Sequence, residues 1–347
     1  MKRKKRVLVS VLNDLYTDPR VDKVCRFLVR NGFDVTLIGC QYKNSPPLEK
    51  RPYSTKRLRL FFKKGPLFFA EFNLKLFFYL FFHPCDILTA NDLDTLLPNF
   101  LVGKIRNKKI VYDSHEYYCN MITVIHKPLT KRIWKGIEKF CFPRLKYVTT
   151  VSASIAQEYQ KEYGVEVKVV RNIPPKKKPS ITDTRKSLQL PEDKKIVIMQ
   201  GNHISRDRGA EELVEAMPFV EGAVLLFVGK GEVLEMLKQR VLELNISDKV
   251  VFVDRVLPDK LFNYTYWADI GISFDKNVSP DHYYSLPNKI FEYIKAETPL
   301  IISNLSERSA IVNQYQVGII IDELEPVAIA EAINEIDRKS TRLNSSH

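Results

Sequence analysis

The sequence predicts an α/β protein built from two successive doubly wound domains. Short apolar runs suited to buried parallel strands alternate with helical patterns along most of the 347 residues. A stretch rich in proline and lysine, residues 173–180, interrupts this alternation, and the chain is too long for one ordinary domain. A hydrophobic fraction of 45% and a charged fraction of 27% exclude a disordered or fibrous chain.

The first half begins with a strand pattern at 6–12, followed by a helix for which Asp18 is the predicted N-cap and Pro19 the first residue. The next strand pattern, 33–39, completes a parallel β-α-β unit. The alternation continues with strands at 58–62, 86–90, 109–112, 147–151 and 167–170 and helices at 67–82, 93–105, 129–142 and 153–163.

The second half repeats the pattern with strands at 195–200, 223–228, 250–253, 270–274, 300–303 and 318–321 and helices at 209–217, 232–244, 259–267, 287–295 and 326–336. We therefore expect a first domain at 1–173, a linker at 174–194 and a second domain at 195–336, with ligand in a cleft between the domains. Residues 337–347 read like a translated sequencing-library adapter. We expect this tail to be an artefact and the C-terminal helix to be truncated.

The formal net charge of +13 leaves three partner classes open, namely nucleic acid, anionic lipid and phosphate-bearing substrates. The sequence carries no zinc-finger, helix-turn-helix or RNP pattern, so we expect no nucleic-acid partner. Five scattered cysteines without a Cys-x-x-Cys pair favour a reducing cytosol, and the basic N-terminus lacks the apolar stretch of a signal peptide.

Three features together indicate contact with a membrane: the phenylalanine-rich segment 67–82, the helix pattern at 127–146 and the basic N-terminus 1–6. The apolar segment 67–82 is short for a bilayer span and contains Glu71 and Lys75, so its stripe of Phe68, Phe72, Leu76 and Tyr79 or Leu80 predicts a core helix. The segment 127–146 is a basic amphipathic helix with Leu129, Ile133, Ile137 and Phe140 on one face. Together with Trp134 it suits an anionic membrane surface.

Polar residues follow a strand in the first half and mark a candidate site. His115 lies in Asp113-Ser114-His115-Glu116, where its ring can bond a sugar or phosphate group. Cys119 stands where a zinc protease would need a second histidine, which excludes that class. We assign no metal to the nearby Asp92-Leu93-Asp94, because this short pattern is common by chance.

In the second half, two segments carry features for binding a nucleoside diphosphate. In the loop 200–209, Gly201 permits close backbone approach, and Arg206 and Arg208 can clamp a diphosphate. In the segment 284–293, Pro287 can start a helix that presents Lys289 to a phosphate and Glu292 to a ribose diol.

These motifs, with DPRVDKVCRFLVRNGFDVTLIG, YDSHEYY, LLFVGKGE and SLPNKIFEYIKAETPLI in this order, make the chain resemble a glycosyltransferase of the GT-B fold, most like the retaining glycosyltransferase family 4. The resemblance implies two Rossmann-like domains that face an interdomain cleft, the first binding the acceptor and the second a nucleotide sugar.

The resemblance also assigns roles to residues. It implies that Glu292 binds the donor ribose, that Arg208 contacts the donor phosphates and that His115 lies near the donor sugar and acceptor. Asn288 and Lys289 fall where the chain approaches the diphosphate. Three positions depart from the family pattern: Tyr284 replaces the first of the paired glutamates, Asn202 replaces a phosphate-binding arginine for which Arg206 can substitute, and Asn13-Asp14-Leu15-Tyr16 replaces a glycine-rich turn.

The expected function is therefore metal-independent hexosyl transfer from a nucleotide-diphosphate sugar to a lipid-linked or polysaccharide acceptor, in cell-surface glycan synthesis. No cofactor is expected, and the location is expected to be cytoplasmic, on the inner face of the cell membrane. A nucleotide-sugar epimerase of related fold is one alternative. A non-catalytic basic protein that binds lipid or nucleic acid is another.

Overall fold

The computed structural model describes residues 3–16 and 18–343, with side chains up to Ile336. The tail predicted at 337–347 thus lies beyond the described side chains, and residues 344–347 lie outside the description. The chain divides into two compact units, residues 1–172 and residues 173–347. Each unit is a parallel sheet with helices between its strands, as the alternation in the sequence predicts.

The first unit contains a seven-stranded parallel sheet within the described residues. Its strands are β1 (Arg6–Ser10), β2 (Asp34–Gln41), β3 (Ser54–Arg59), β4 (Ile87–Asn91), β5 (Lys109–Ser114), β6 (Tyr147–Thr150) and β7 (Val167–Val169). The spatial order is β3-β2-β1-β4-β5-β6-β7, so the order reverses between β1 and β4. Ligands of such sheets bind outside the carboxyl ends of the strands at this reversal.

The helices of the first unit are α1 (Pro19–Arg30), α2 (Pro66–Phe82), α3 (Leu93–Ile105), α4 (Ile122–Ile125), α5 (Pro128–Cys141) and α6 (Ala153–Tyr163). The predicted start of α1 is confirmed. The Asp18 carboxylate accepts a hydrogen bond from the backbone N–H of Val21 at 2.9 Å, and Pro19 is the first helical residue.

The position of the third strand was predicted wrongly. The apolar run 58–62 indicated the strand, but β3 occupies Ser54–Arg59. β3 is an edge strand that pairs only with β2, and Leu58 is its one buried residue. Because an edge strand needs little apolar surface, hydrophobicity did not mark its limits.

Helix α2 buries the predicted stripe of Phe68, Phe72, Leu76 and Leu80. Its other faces are also apolar, and they remain in contact with solvent. Together with the turn before the helix they form what we call the phenylalanine patch, namely the exposed side chains of Phe61, Phe62, Leu67, Leu74, Phe78 and Phe82. In the described part of the chain, no helix has both the length and the hydropathy that crossing a bilayer requires.

Helix α5 is oriented differently from the expectation for Trp134. The indole is buried and contacts Phe69 of α2 and Tyr118 edge to face, so it does not face a membrane. Leu129 and Ile133, by contrast, are exposed. The inner face of α5 instead carries Glu138, whose carboxylate accepts hydrogen bonds from two neighbouring side chains.

The second unit contains a six-stranded parallel sheet within the described residues. Its strands are β8 (Lys195–Gly201), β9 (Ala223–Gly229), β10 (Val250–Val253), β11 (Ile270–Ser273), β12 (Leu300–Ser303) and β13 (Gly318–Ile321). The spatial order is β10-β9-β8-β11-β12-β13, with the reversal between β8 and β11.

The helices of the second unit are α7 (Ala210–Ala216), α8 (Leu234–Glu243), α9 (Pro258–Trp267), α10 (Pro280–Tyr284), α11 (Asn288–Ala296), α12 (Ser306–Tyr315) and α13 (Pro326–Leu343). The sequence reading contained neither α10 nor α12. Pro287 precedes α11 rather than starting it. Leu188 and Leu190, inside the segment predicted as a linker, are buried in the core of this unit.

Candidate functional site

The candidate site of the second unit lies at the reversal of its strand order. Gly201 ends β8, and Asp275 follows the neighbouring strand β11 by two residues. The carboxyl ends of two adjacent parallel strands therefore meet here, and the helices that follow them leave a crevice between their starts.

A cavity of about 190 Å³ opens at this crevice. Three of the residues predicted to bind the donor line it: Gly201, Arg208 and Lys289. The rest of its lining comes from four residues to which the sequence assigned no role, Met199, Gln200, His203 and Ile204. Sequence reasoning had a signal for these four, because they flank Gly201 in the same strand-to-loop segment.

Gln200 connects the cavity to Glu292. Its side-chain Nε2 donates a hydrogen bond of 2.6 Å to Glu292 Oε2, and its side-chain Oε1 accepts one of 2.6 Å from the Thr265 hydroxyl. Gln200 and Thr265 are both buried, so this chain of hydrogen bonds is fixed. The carboxylate predicted to bind ribose thus lies on the same side of the unit as Arg208 and Lys289.

The charges around the cavity centre on Asp275, a fully buried carboxylate. Its Oδ1 lies 2.6 Å from Arg208 Nη1, and its Oδ2 is paired with the buried guanidinium of Arg308. Burial acts to raise the pKa of Asp275, but the charges of Arg308 and Arg208 outweigh it and lower that pKa. Asp275 is therefore ionised.

Lys289 adds a third cation to this cluster. Burial, followed by the charges of Arg208 and Arg308, lowers its pKa to about 8, although Asp275 acts in the opposite direction. At neutral pH, the three cations outnumber the two carboxylates of the site, Asp275 and Glu292, which leaves a surplus of positive charge for an anion entering the cavity. Such a surplus matches a diphosphate.

Two glycines allow the end of β9 and the loop after it to lie against the end of β8 and the loop after that strand. A Cβ atom at Gly229 would collide with the carbonyl oxygen of Gly201, and one at Gly231 would collide with that of Ile204. A Cβ atom at Gly201 would have its nearest neighbour at 3.7 Å, an ordinary contact. Close contact between two backbone segments thus requires glycine at positions 229 and 231. At Gly201, where close approach was predicted, no other part of the chain fills the space next to the Cα atom.

Arg206 and Asn288, the other two residues predicted to bind the donor, do not line the cavity. Both side chains are exposed. Asn202 stands where the family has a phosphate-binding arginine. That Arg206 takes over the role of this arginine therefore remains a prediction. Asp275 and Arg308 are functional candidates that sequence reasoning missed. The position of Asp275 just after a strand was a usable signal, whereas Arg308 lies in a helix that was not predicted.

In the first unit, His115 lies at the carboxyl end of β5 and is held through both ring nitrogens. Nε2 lies 3.0 Å from Asp113 Oδ2 and Nδ1 lies 3.2 Å from Asp92 Oδ2. Arg20 and Thr149 bind the same Asp113 carboxylate at 3.0 and 2.7 Å. Carboxyl groups thus contact both ring nitrogens, an arrangement that favours a protonated ring.

The pKa directions of His115 and Asp113 agree with a protonated ring, whereas burial raises the pKa of Asp92 against the opposing charge of His115. Burial acts to lower the pKa of His115, but Asp92 and Asp113 outweigh it and raise it. Burial likewise opposes the ionised form of Asp113, yet the hydrogen bond from His115 and the charge of Arg20 lower its pKa to about 2. Asp113 and Asp92 therefore occupy both ring nitrogens, and the pKa directions of His115 and Asp113 favour a protonated ring beside an ionised Asp113.

The Asp92-Leu93-Asp94 pattern serves this cluster. Asp92 accepts a hydrogen bond of 2.7 Å from the backbone N–H of His115. Asp94 accepts a weak one of 3.4 Å from the Tyr118 hydroxyl, and burial together with the charge of Asp92 raises its pKa well above the usual range. Among the described residues, no group of three or more His, Cys, Asp or Glu side chains is arranged to hold a metal ion.

Comparison with protein families gives matches in both units. Residues 20–175 match the model described as Glycosyltransferase Family 4, and residues 180–344 match the one described as Glycosyl transferases group 1. One similar curated protein is a GDP-mannose-dependent alpha-(1-6)-phosphatidylinositol monomannoside mannosyltransferase of Mycobacterium tuberculosis. It is 24% identical over 238 residues, which are 64% of this chain and 58% of that protein. The chain spans 38–58% of the length of three curated relatives that it matches, this mannosyltransferase included.

Similar solved structures share the fold. Sucrose-phosphate synthase from Thermosynechococcus elongatus is 18% identical with a TM-score of 0.76, over 96% of this chain and 90% of that one. An Anabaena protein, HepE, crystallised with UDP and glucose, is 15% identical with a TM-score of 0.72, over 97% of this chain and 91% of that one. At these identities, the likeness shows a common fold.

Proposed function

We propose that this chain, which belongs to glycosyltransferase family 4 and has the GT-B fold, transfers a sugar from a nucleotide-diphosphate donor to a lipid-linked or polysaccharide acceptor with retention of configuration, in cell-surface glycan synthesis. The observation that carries the donor class is the convergence of Gly201, Arg208 and Lys289 on one cavity, with Glu292 tied to it through Gln200.

The cationic cluster suits the chemistry at the diphosphate. In the transfer, the bond between the anomeric carbon and the diphosphate oxygen breaks, and the acceptor oxygen bonds to that carbon. The acceptor proton passes to the leaving diphosphate. Negative charge develops on the leaving oxygen, where Arg208 and Lys289 would stabilise it without a metal ion.

The second part of the donor to be recognised is the ribose. A carboxylate accepts hydrogen bonds from both hydroxyls of a ribose diol, and Glu292 is available for this at the cavity side of α11. Gln200 holds Glu292 Oε2 and so restricts the rotamer of the carboxylate. Both halves of a nucleoside diphosphate thereby have a partner of suitable chemistry in one unit.

The support for the acceptor class lies in the first unit and in one relative. That relative is named for transfer to a phosphatidylinositol mannoside, an acceptor that is both lipid and glycan. The first unit presents His115, held between Asp92 and Asp113, and the half-buried Asp94 close to the ends of adjacent strands. Charged and hydrogen-bonding groups of this kind bind sugar hydroxyls.

Donor turnover tests the proposed activity. The purified chain is incubated with UDP-, GDP-, ADP- and dTDP-sugars in the presence of EDTA, and release of the nucleoside diphosphate is measured with and without membrane extract as acceptor source. Arg208→Ala and Glu292→Ala are expected to abolish release. Arg255→Ala and Glu243→Ala, at exposed positions of the same unit, serve as matched controls. Turnover unchanged in Arg208→Ala and Glu292→Ala would refute the site.

We also propose an anionic membrane surface as partner of the first unit, on the inner face of the cell membrane. The phenylalanine patch is apolar and exposed. Lys63 and Lys64, which follow its residues Phe61 and Phe62 in the chain, are exposed as well. Helix α5, which contacts α2 through Trp134 and Phe69, exposes Leu129 and further apolar and basic side chains, namely Ile133, Phe140, Arg132 and Lys139. Apolar side chains flanked by cations are the composition that inserts at an anionic interface.

Vesicle flotation tests this partner. The chain is expected to float with phosphatidylglycerol vesicles and to remain unbound with phosphatidylcholine vesicles. Phe78→Ser with Phe82→Ser is expected to lose the interaction. Leu257→Ser, at an exposed leucine of the second unit, is the control. Equal binding to both vesicle types, or full binding by the double variant, would contradict the assignment of the surface.

A further inference from the structure

One buried ion pair in the second unit has no evident structural necessity. Asp275 and Arg308 are both fully buried, and Arg308 is the largest side chain in the described chain with so little exposure. Removing two charges from water costs several kcal/mol per ion, and a well-packed apolar pair often gives equal or greater stability. Stability alone therefore does not explain why this buried ion pair is present, and a role in function would.

The contacts of Arg308 lead toward the cavity in two directions. In the first direction, Arg308 pairs with Asp275 Oδ2, and Asp275 Oδ1 lies 2.6 Å from Nη1 of the cavity residue Arg208. In the second direction, Arg308 Nη2 donates a hydrogen bond of 2.7 Å to the hydroxyl of Ser285. Ser285 lies in the turn before α11, the helix that carries Lys289 and Glu292.

Arg208 itself is about one-third exposed, so it reaches from the buried carboxylate into the cavity. A long side chain at such a position loses conformational entropy when it binds an anion. An arginine already held at one nitrogen by a buried carboxylate has lost part of that freedom before the ligand arrives. Its remaining donors stay available, because a guanidinium carries five N–H groups.

We propose that Asp275 and Arg308 are positioning residues: the buried pair holds Arg208 in the orientation that binds the donor diphosphate and fixes the turn before α11 in register with it. This inference rests on the proposed function, since it takes the donor to be a nucleotide-diphosphate sugar. It assigns to Asp275 and Arg308 no contact with the substrate.

A variant that removes the pair without changing the net charge separates positioning from electrostatics. Asp275→Asn with Arg308→Met deletes one negative and one positive charge, so the net charge around the cavity is the same. Asp275→Asn alone would leave Arg308 buried without a counter-charge, which is strongly destabilising, and is therefore avoided.

The measurement is a double-mutant cycle with Arg208, read by calorimetric binding of UDP, GDP, ADP and dTDP to the full chain. For the nucleotide that wild type binds, we expect Arg208→Ala to weaken affinity 10- to 100-fold, the usual range for a lost charge-assisted hydrogen bond (~1.5–3 kcal/mol). Asp275→Asn/Arg308→Met is expected to weaken it about tenfold. The triple variant is expected to bind no worse than Arg208→Ala alone.

Two results would overturn the inference. The first is wild-type affinity in Asp275→Asn/Arg308→Met, and the second is a triple variant whose loss is the product of the two separate losses. A pair that only stabilises the fold would give one of these. If wild type binds none of the four nucleotides, the proposed donor class fails as well, so the two failures are distinguishable.

Arg208→Lys gives a second test, which leaves the buried pair intact and so does not require the double variant to fold. Lysine keeps the positive charge at a partly exposed position, but a single ammonium cannot hold Asp275 and present a planar fork to the diphosphate at once. We expect Arg208→Lys to lose at least half of the binding free energy that Arg208→Ala loses. Wild-type affinity in Arg208→Lys would overturn the inference even if the double variant fails to fold.

Discussion

The affinity for the donor nucleotide is expected to fall as the pH rises from 7 to 9, because Lys289 loses its proton in this interval. Burial is the main reason why the pKa of this lysine is lowered to about 8; the charges of Arg208 and Arg308 act in the same direction, and those of Asp275 and Glu292 oppose it. An unperturbed lysine has a pKa near 10.4. A bound diphosphate would add negative charge beside the ammonium and raise the pKa again.

The magnitude follows from the protonated fraction. With a pKa of about 8, Lys289 is roughly nine-tenths protonated at pH 7 and roughly one-tenth protonated at pH 9. Because the charged form binds the diphosphate, the apparent Kd is divided by this fraction and rises about tenfold, or about 1.4 kcal/mol. Binding near pH 8 is accompanied by uptake of a fraction of a proton.

Calorimetry at pH 7, 8 and 9 measures this effect, with the proton uptake obtained from two buffers of different ionisation enthalpy. Lys289→Met is expected to bind the nucleotide weakly and with little pH dependence. Lys295→Met removes a lysine from the same helix outside the cavity lining and serves as the control. A wild type with constant affinity from pH 7 to 9, or a Lys289→Met variant with the full pH dependence, would refute the reasoning.

Three further predictions concern single side chains. Gln200→Leu is expected to weaken nucleotide binding about tenfold in calorimetry, because Glu292 loses the amide that orients it; unchanged affinity would contradict the role of Gln200. Asp113→Asn is expected to lower the free energy of unfolding at pH 7 by about 2–3 kcal/mol. The difference from wild type should shrink as the pH falls from about 4 to 2, since the folded-state pKa of Asp113 is about 2; urea unfolding with equal differences at every pH would argue against it. Leu76→Ala, at a fully buried position of α2, is expected to cost about 2–5 kcal/mol in the same assay, and a loss below 1 kcal/mol would show that the site is not packed as described.

The architecture was predictable because parallel strands buried on both faces appear as continuous apolar runs. β8, β9 and β12 are such strands, and their predicted positions are confirmed within a residue. Helix α12 was missed for the opposite reason. It buries Glu307 and Arg308, so its inward positions carry charge and the helical hydrophobic period is absent.

The candidate site was predictable where a residue type has a chemical reason to stand in a loop after a strand. Gly201 and Arg208 meet that condition, Lys289 was predicted from the start of its helix, and the structure brings all three to one cavity. The ion pairs of Asp275 required the three-dimensional arrangement, because its partners Arg208 and Arg308 are 67 and 33 residues away along the chain. The orientation of α5 also depended on tertiary packing, since a helix with Trp134 on one side and Leu129 on another has two possible inner faces.

The exposed rings of α2 have a practical consequence for work with this protein. Phe78 and Phe82 stack on each other at the surface, and Phe61 is almost completely open to water. In the absence of lipid, rings of different molecules will cover one another as the concentration rises. Yield and homogeneity during purification should therefore improve on adding a mild non-ionic detergent, and size-exclusion profiles recorded without detergent should broaden on concentration.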